Sequence, residues 1–342
     1  MIASDDLEHC RSVIKTGSLS FHAASKLLPS SVRDPALALY AFCRLADDEV
    51  DEGNAKGRAV LKLQDRLDLA YQGMPKNAPE DRAFAAIIEE FDMPRALPEA
   101  LLEGLAWDAV ERRYATLSDV RSYSARVASA VGVMMCVLMR VRDPDTLARA
   151  CDLGIAMQLT NIARDVGEDA HERRIYLPTN WLQDAGMEVE AFFNAPKPTR
   201  EVRRMVSGLL AEAHRLYIRS EAGISGLPLS ARSGIFAARY IYAGISGAVR
   251  KNQHDSINFR ARTSKAAKLK LIGKSAIRAA GTMVLPTSPV IFAKPLPEVK
   301  FLVDAAAGVE PRLMGRTESL LGTLAELKSR EAHGYSSRIA AE

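Results

Sequence analysis

The prolines and glycines of this sequence stand mostly between long stretches that contain neither residue. Within those stretches apolar residues recur three to four positions apart, which is the spacing of one face of an α-helix. There is no alternation of strand and helix patterns, and no repeat with the period of a solenoid. The sequence therefore predicts an all-α fold, in which any chemistry must be carried on helix faces.

Helix boundaries follow from the same pattern. Asp34 and Pro35 have the form of a helix start, with an N-cap and a proline in the first turn. Gly53 is suited to the end of the helix that precedes it. The pattern predicts helices at 19–28, 39–51, 58–73, 79–91, 97–113, 117–139, 143–168, 199–221, 229–251 and 311–331, and a basic amphipathic stretch at 264–280.

Two segments, 169–198 and 281–298, contain prolines and are predicted to be irregular. We expect one domain over residues 1–280, built around a central cavity. Residues 281–342 are expected to add a proline-containing connection, the C-terminal helix and a tail packed on the same domain.

Charge and cysteine content narrow the class of protein. The formal net charge of +4 is too small to indicate nucleic-acid binding. The four cysteines are far apart and form no CxxC pair, so neither a zinc site nor a disulfide framework is predicted. The N-terminal residues lack an apolar signal segment, and no apolar run is long enough to span a bilayer. A cytoplasmic protein is expected, with a peripheral position on the inner membrane left open.

Two acidic clusters carry the strongest chemical signal. Asp47 and Asp51 are one helical turn apart, and Asn161, Asp165 and Asp169 form a second row with the same spacing. Each row directly follows apolar residues of its own helix, which is unusual for a solvated acidic face. Mg²⁺ prefers oxygen ligands and often binds through one or two carboxylates together with substrate phosphates. Facing rows would hold two or three Mg²⁺ or Mn²⁺ ions and a diphosphate.

Three arginines and a tyrosine near these rows suit a diphosphate as well. Arg44 precedes Asp47, Arg164 adjoins Asp165, and Arg174 and Tyr176 follow the second row. Guanidinium groups match phosphate oxygens in geometry. The alternative for each arginine is an ordinary surface ion pair, and the alternative for each acidic row is a solvated helix face.

Taken together, several stretches resemble the head-to-head trans-prenyltransferases, the family of squalene, dehydrosqualene and phytoene synthases. The similar stretches are LYAFCRLADDEVDEG, QLTNIARDVGED and RIYLP, with SLSFHAASKLLP at 18–29, SYSARVASAVGVMM at 122–135 and ARYIYAGISGAVRKNQHD at 238–255. The resemblance covers about residues 15–275 in the order of the family. It is greatest to the bacterial branch that condenses two geranylgeranyl diphosphates.

The resemblance implies a fold and a reaction. The fold is a single helical bundle around a central cavity, as in other class I terpenoid synthases. One geranylgeranyl diphosphate ionises with Mg²⁺ stabilising the leaving diphosphate, and its cation is attacked by the second molecule to give prephytoene diphosphate. A second ionisation, rearrangement and proton loss give phytoene, the first committed product of carotenoid biosynthesis, without NADPH. A phytoene desaturase is then a possible partner.

The resemblance also implies roles for individual residues. The two aspartate motifs fall on Asp47, Asp51, Asp165 and Asp169, with Asn161 as a further metal ligand. The other matched positions are Gln158 on the second acidic row, Ser18, Arg44 and Arg174 at the diphosphate with Tyr40 beside them, Tyr123, Val127 and Gly132 in the cavity, and Tyr242 as the late tyrosine of the family, assigned with Arg44 to catalysis.

The chain departs from the family pattern at Ser124 and Ala125, which follow Tyr123 where the family has cysteine and tyrosine. These changes affect the cavity lining, so the length of the substrate stays open. The alternatives are a squalene or dehydrosqualene synthase that uses farnesyl diphosphate, a silent relative that acts as a scaffold, and a hydrolase with paired carboxylates.

The stretch 264–280 carries lysines on one side and Leu269, Ile272 and Ile277 nearer the other. Basic amphipathic helices bind anionic membrane surfaces, and the apolar residues that follow this stretch suit the interface. The alternative is a solvated helix packed on the bundle.

Overall fold

The structure is a computed structural model that describes residues 1–52, 56–308 and 322, apart from the side chains of Asp51 and Glu52. Within these ranges it consists of helices and connecting turns, with no β-strand. The all-α prediction is confirmed. The helices are α1 Ser4–Gly17, α2 Leu19–Ser25, α3 Ser30–Glu52, α4 Lys56–Tyr71, α5 Pro79–Phe91, α6 Ala96–Ala109, α7 Leu117–Ser124, α8 Ala130–Leu138, α9 Pro144–His171, α10 Thr179–Asp184, α11 Val189–Asn194, α12 Arg200–Ile224, α13 Leu229–Lys251, α14 Lys265–Gly281 and α15 Lys300–Ala307.

Helix α9 lies at the centre of the bundle and packs against α8, α12 and α13. Leu147, Cys151, Ile155, Leu159 and Ala163 recur four residues apart along it, and each is fully buried. This row is the apolar face that the helical spacing predicts. Burying such a row stabilises the fold by roughly 25 cal/mol for each Å² of apolar surface removed from water.

Helix α3 begins at Ser30, so the prediction of a helix start at Asp34 and Pro35 is wrong. Pro35 lies inside the helix. A proline near a helix N-terminus removes one backbone hydrogen bond. Val32 and Leu37, on either side of it, are buried in the core, and this packing outweighs the lost bond.

The stretch predicted as one helix at 117–139 is divided into α7 and α8 by a π-helical turn at Ala125–Ser129. Two glycines of neighbouring helices allow the turn to pack closely. A Cβ atom at Gly104 would lie 2.5 Å from Val127 Cγ1, and one at Gly154 would lie 2.6 Å from the Cα of Ser129. The interruption therefore depends on glycines that are distant in the sequence. Turns of this kind are frequent at functional sites.

The other helix boundaries differ less from the predicted ones. Helix α6 ends at Ala109, before the predicted 113, and Glu111 beyond it has a φ of 56°. Helix α9 continues to His171, which keeps Asp169 on the helix. The segment 169–198 contains α10 and α11, and neither α1 nor α15 was predicted. Gly53 and the predicted helix at 311–331 lie outside the described residues, Gly322 excepted.

A buried ion cluster fastens the segment after α14 to the centre of the bundle. Arg149 of α9 is fully buried and donates from Nε to Asp152 Oδ2 at 2.7 Å. Its Nη1 donates to the carbonyls of Val290, Ile291 and Ala293 at 2.9, 3.0 and 2.6 Å. Burial raises the pKa of Asp152, while Arg149 and Arg219 oppose the shift.

Replacing Arg149 by Met should lower the free energy of unfolding by about 3 kcal/mol, the range for breaking a buried ion pair by removal of one partner. Urea denaturation followed by far-UV circular dichroism measures the loss. The matched control is R215M, because Arg215 is 47% exposed and its partner Glu212 keeps a second ion pair with Arg121. That change should cost less than about 1 kcal/mol. Equal losses in the two variants would contradict the role of the buried cluster.

Candidate active site

A cavity of about 390 Å³ opens between α3, α6, α7, α9 and the chain at 174–176. Its lining combines acidic, basic and aromatic side chains with a few apolar ones. The lining residues are Asp47, Val50, Leu105, Asp108, Tyr123, Val127, Gln158, Asn161, Ile162, Arg164, Asp165, Asp169, Arg174 and Tyr176.

The two acidic helices contribute to this one cavity. Asp47 comes from α3, and Asn161, Asp165 and Asp169 come from one face of α9. The structure thus brings together the acidic groups that the sequence placed on separate helices. Asp51 lies one turn after Asp47 on α3, and its side chain is outside the described residues.

The α9 carboxylates lie close together in a partly buried wall. Burial, and after it the neighbouring Asp165, raise the pKa of Asp169 to about 8, and Arg174 opposes the shift. Asp165 Oδ1 accepts hydrogen bonds from Arg164 Nε at 2.8 Å and from Arg260 Nε at 3.0 Å. A carboxylate that is buried beside another carboxylate is stabilised as an anion by a nearby positive charge.

Arg260 was not assigned to the site from the sequence. It bridges Asp165 and Glu168, with a second bond of 2.9 Å from Nη1 to Glu168 Oε1. It reaches α9 from the connection after α13, about 95 residues later in the chain. No local pattern marks this contact, since it depends on how the connection folds back.

Asp108 is the second residue that the sequence did not reveal. The hydroxyl of Tyr123 donates to Asp108 Oδ2 at 2.8 Å, and the hydroxyl of Tyr176 donates to Oδ1 at 2.8 Å. Burial raises the pKa of both tyrosines well above the usual value, so they stay neutral. The signal was present as a single aspartate in the apolar stretch GLAWDA. This cluster fixes one wall of the cavity.

Other predicted residues lie apart from this cavity. Arg44 Nε donates to Asp48 Oδ2 at 2.9 Å, and both line a second cavity of about 490 Å³ with His9, Glu49 and Glu80. Arg44 and Asp48 are four residues apart on α3, a spacing at which their side chains can meet on the helix surface.

Ser18 at the N-cap of α2, Tyr40 of α3 and Tyr242 of α13 each contact Phe21 instead. Ser18 caps α2 by accepting from the backbone N–H of Phe21. The ring of Phe21 lies 5.1 Å from that of Tyr242 and 6.4 Å from that of Tyr40. Burial raises the pKa of Tyr242 to about 12, which keeps it neutral. Aromatic rings in this arrangement stabilise a nearby cation.

Gly132 of α8 allows this helix to pack closely against α9. A Cβ atom there would lie 3.2 Å from the carbonyl oxygen of Ala150 on α9. Of the apolar residues near it, Val131, Met135 and Met157 are only partly buried, whereas Met134 and Ile155 are fully buried. None of the five lines the cavity of about 390 Å³, and Met134 and Ile155 belong to the core.

The donor set of the cavity determines which metal it can hold. Among the described residues no three acidic, histidine or cysteine side chains lie close enough to hold one ion by themselves. The cavity offers oxygen donors from Asp47, Asn161, Asp165 and Asp169, which are hard ligands. Mg²⁺ is commonly held by one or two carboxylates together with substrate phosphates. The donor set therefore fits a metal that binds with a diphosphate.

An all-α bundle with two acidic helices at one cavity is the fold of class I terpenoid synthases. Among solved structures, a ligand-bound dehydrosqualene synthase is 30% identical with a TM-score of 0.74, covering 81% of this chain and 97% of its own. A squalene synthase from Alicyclobacillus acidocaldarius is 25% identical with a TM-score of 0.67, over 73% and 95% of the two chains.

The squalene/phytoene synthase family matches residues 14–268. A phytoene synthase of Cereibacter sphaeroides is 59% identical over 97% of this chain and 96% of its own length. One of Rhodobacter capsulatus is also 59% identical, over 97% and 98%. The chain belongs to the squalene/phytoene synthase family.

Proposed function

We propose that this protein is a phytoene synthase, a prenyltransferase that joins two geranylgeranyl diphosphates head to head in a Mg²⁺-dependent reaction. The observation that carries the proposal is the convergence of Asp47 with Asn161, Asp165 and Asp169 on one cavity. The 59% identity to two bacterial phytoene synthases supports this product over the others made in the family.

The residues of the cavity bind and orient the diphosphate. Arg164, Arg174 and Arg260 present guanidinium groups around the α9 carboxylates, where phosphate oxygens can accept from them. Asp47, Asn161, Asp165 and Asp169, with Asp51 from the same row as Asp47, are the residues that would hold two or three ions of Mg²⁺ or Mn²⁺. The bound metal supplies charge that stabilises the leaving diphosphate.

The other walls protect the allylic cation. Val50, Leu105, Val127 and Ile162 give the cavity an apolar side that offers no nucleophile. Tyr123 and Tyr176 are held by Asp108, so their hydroxyl groups are fixed rather than free to attack. Exclusion of water keeps the cation from being quenched to an alcohol. The C2=C3 bond of the second substrate then attacks it, and loss of one proton to the released diphosphate closes the cyclopropane ring of prephytoene diphosphate.

The second stage needs no further reactant. Prephytoene diphosphate loses its diphosphate, the cyclopropyl cation rearranges, and a proton leaves to give phytoene. The released diphosphate is a suitable base for that proton. Loss of a proton in place of hydride addition removes the need for NADPH.

Purified protein with Mg²⁺ and geranylgeranyl diphosphate, without NADPH, should give a colourless C40 hydrocarbon with a triene absorption. The same assay with farnesyl diphosphate tests the alternative, a squalene or dehydrosqualene synthase. We expect kcat/KM to favour the C20 substrate by at least about tenfold, because a pocket that fits a longer apolar chain gains transfer free energy from its extra carbons. A preference for the C15 substrate would contradict the proposal.

The partners follow from the chemistry of the product. Phytoene is insoluble in water, so we propose a bilayer as a partner, with the protein in the cytoplasm and peripheral on the inner membrane. A desaturase that accepts phytoene from that bilayer is the second proposed partner. Within the described residues, no helix is both long enough and apolar enough to cross a membrane.

A further inference from the structure

Helix α14 and the segment that follows it expose large apolar side chains. Val284 is 83% exposed, Phe292 73% and Leu269 72%. Ile277, Met283 and Leu285 are also more than half exposed. Single apolar residues on a surface are ordinary, but six exposed within 24 consecutive residues are a concentration that requires an explanation.

The same part of the chain is strongly basic. Between Asp255 and Glu298 there is no acidic residue, while eight arginines and lysines occur. Lys265, Lys270 and Lys294 are exposed and make no ion pair with any described residue. A stretch of chain that exposes both large apolar side chains and unpaired lysines is complementary to a bilayer that contains anionic lipid.

The apolar segment is fixed from beneath. Ile291 is buried, and Arg149 holds the carbonyls of Val290, Ile291 and Ala293. Arg219 holds the next carbonyl, that of Lys294, at 3.0 Å. Phe292 thus projects from a backbone that is tied to the centre of the bundle. A surface ordered before binding loses little conformational entropy on binding.

This surface adjoins α13 and α2, the helices that carry Tyr242 and Phe21. Leu271 of α14 lies against Gly244 of α13, where a Cβ atom would be 3.2 Å from Leu271 Cδ1. Tyr242 is on the same helix, α13. Lys268 Nζ donates at 3.1 Å to the hydroxyl of Ser20 in α2, two residues after the Ser18 cap. A bilayer at α14 would therefore lie beside the helices of the aromatic group formed by Phe21, Tyr40 and Tyr242.

We propose that α14 and residues 282–292 form the docking surface for a bilayer with anionic phospholipid. Met283, Val284, Leu285 and Phe292 insert below the headgroups, and Lys265, Lys270 and Lys294 contact lipid phosphates. The inference names the surface for the membrane partner and rests on the proposed function only for its purpose, the transfer of a hydrocarbon product.

Flotation with vesicles tests the surface without any turnover. The purified full chain should float with vesicles of equal parts phosphatidylglycerol and phosphatidylcholine, and the partition coefficient should fall at least about tenfold for the V284D/F292D variant. The matched control is M74D, because Met74 is exposed in the turn after α4. Failure of the wild type to float, or equal partition of V284D/F292D and the wild type, would overturn the proposal.

The charge contribution is tested separately with K265E/K270E, for which the matched control is K62E/K76E at two exposed lysines near α4. Only the first pair should weaken binding, and only to vesicles that contain phosphatidylglycerol. Equal weakening by both pairs would show that net charge, rather than this surface, governs binding, which contradicts the proposal.

A third variant tests insertion by a gain of fluorescence, which a folding defect would not produce. In F292W the new indole should show blue-shifted fluorescence that brominated phosphatidylcholine, mixed with phosphatidylglycerol, quenches more than it quenches the wild type. If the added fluorescence of F292W is not quenched, the inserted position of Phe292 is overturned. Turnover in detergent, measured for each variant, tests the proposed function independently of docking. A protein that binds vesicles but shows no turnover would contradict the proposed function and still support the docking surface.

Discussion

The variant D47N is expected to lose about 10³-fold in kcat, whereas D48N should lose less than about threefold. The two aspartates are neighbours in the sequence, but only Asp47 lines the cavity with Asp165 and Asp169. Asp48 is paired with Arg44 beside the second cavity. A neutral amide at Asp47 removes one negative charge from the wall that would hold the metal-bound diphosphate. The change at Asp48 disrupts one exposed ion pair.

Single-turnover measurements with geranylgeranyl diphosphate separate chemistry from product release in both variants. The dependence of rate on Mg²⁺ concentration adds a second readout, since D47N should require more metal for half-maximal rate and D48N should not. Equal loss in the two variants would contradict the assignment of faces on α3. Full turnover by D47N would favour the scaffold interpretation, in which the acidic rows have no chemical part.

The acidic rows could be predicted from the sequence because helical periodicity depends only on residues that are near one another in the chain. Spacing of four residues places Asn161, Asp165 and Asp169 on one face wherever α9 lies, and the structure has them so. Arg44 lies three residues before Asp47 and four before Asp48, so spacing alone leaves both as partners, and its Nε donates to Asp48. The sequence interpretation grouped Arg44 with Asp47 because the two lie on roughly the same helix face, and the side-chain conformation that turns the guanidinium group to Asp48 cannot be predicted from spacing.

Features that depend on distant residues could not be predicted in this way. The π-helical turn at 125–129 fits between Gly104 and Gly154, and Arg260 reaches Asp165 from a connection far along the chain.

Helix α1 is a different case. Leu7, Cys10 and Ile14 gave it a helical spacing, and the signal was visible but was not used. The boundary error at Pro35 arose because local propensity is weaker than burial.

The second large effect is expected at Gly167, which lies between the acidic residues of α9. Its N–H donates to the carbonyl of Ser256 at 2.9 Å, so the connection after α13 rests directly on the helix there. A Cβ atom at Gly167 would lie 2.7 Å from the carbonyl oxygen of Ile257 and 2.8 Å from its Cα. These are backbone atoms that cannot rotate away. The connection would have to shift, and Arg260 with it.

We therefore expect G167A to lower kcat/KM about 10²-fold, the loss typical of one charged donor to a reacting anion. The variant R260Q should give a similar loss without any steric change. If Gly167 acts through Arg260, the double variant should remain near 10²-fold and not reach about 10⁴-fold, because the second change removes a contact that is already lost. The control is G273A, a helical glycine of α14 with nothing within 4 Å of an added Cβ.

The reason for expecting non-additivity lies in how the connection is held. Asp255 accepts from the backbone N–H groups of Ile257 and Asn258 and from Arg203, so residues 255–258 move as one unit. A displacement at Ile257 therefore moves Asn258 with it, two residues before Arg260. Steady-state kinetics of the four proteins with Mg²⁺ present measure the coupling, and melting temperatures identify any loss that reflects unfolding. Additive losses would mean that Gly167 supports the α9 carboxylates directly and does not act through the position of the connection.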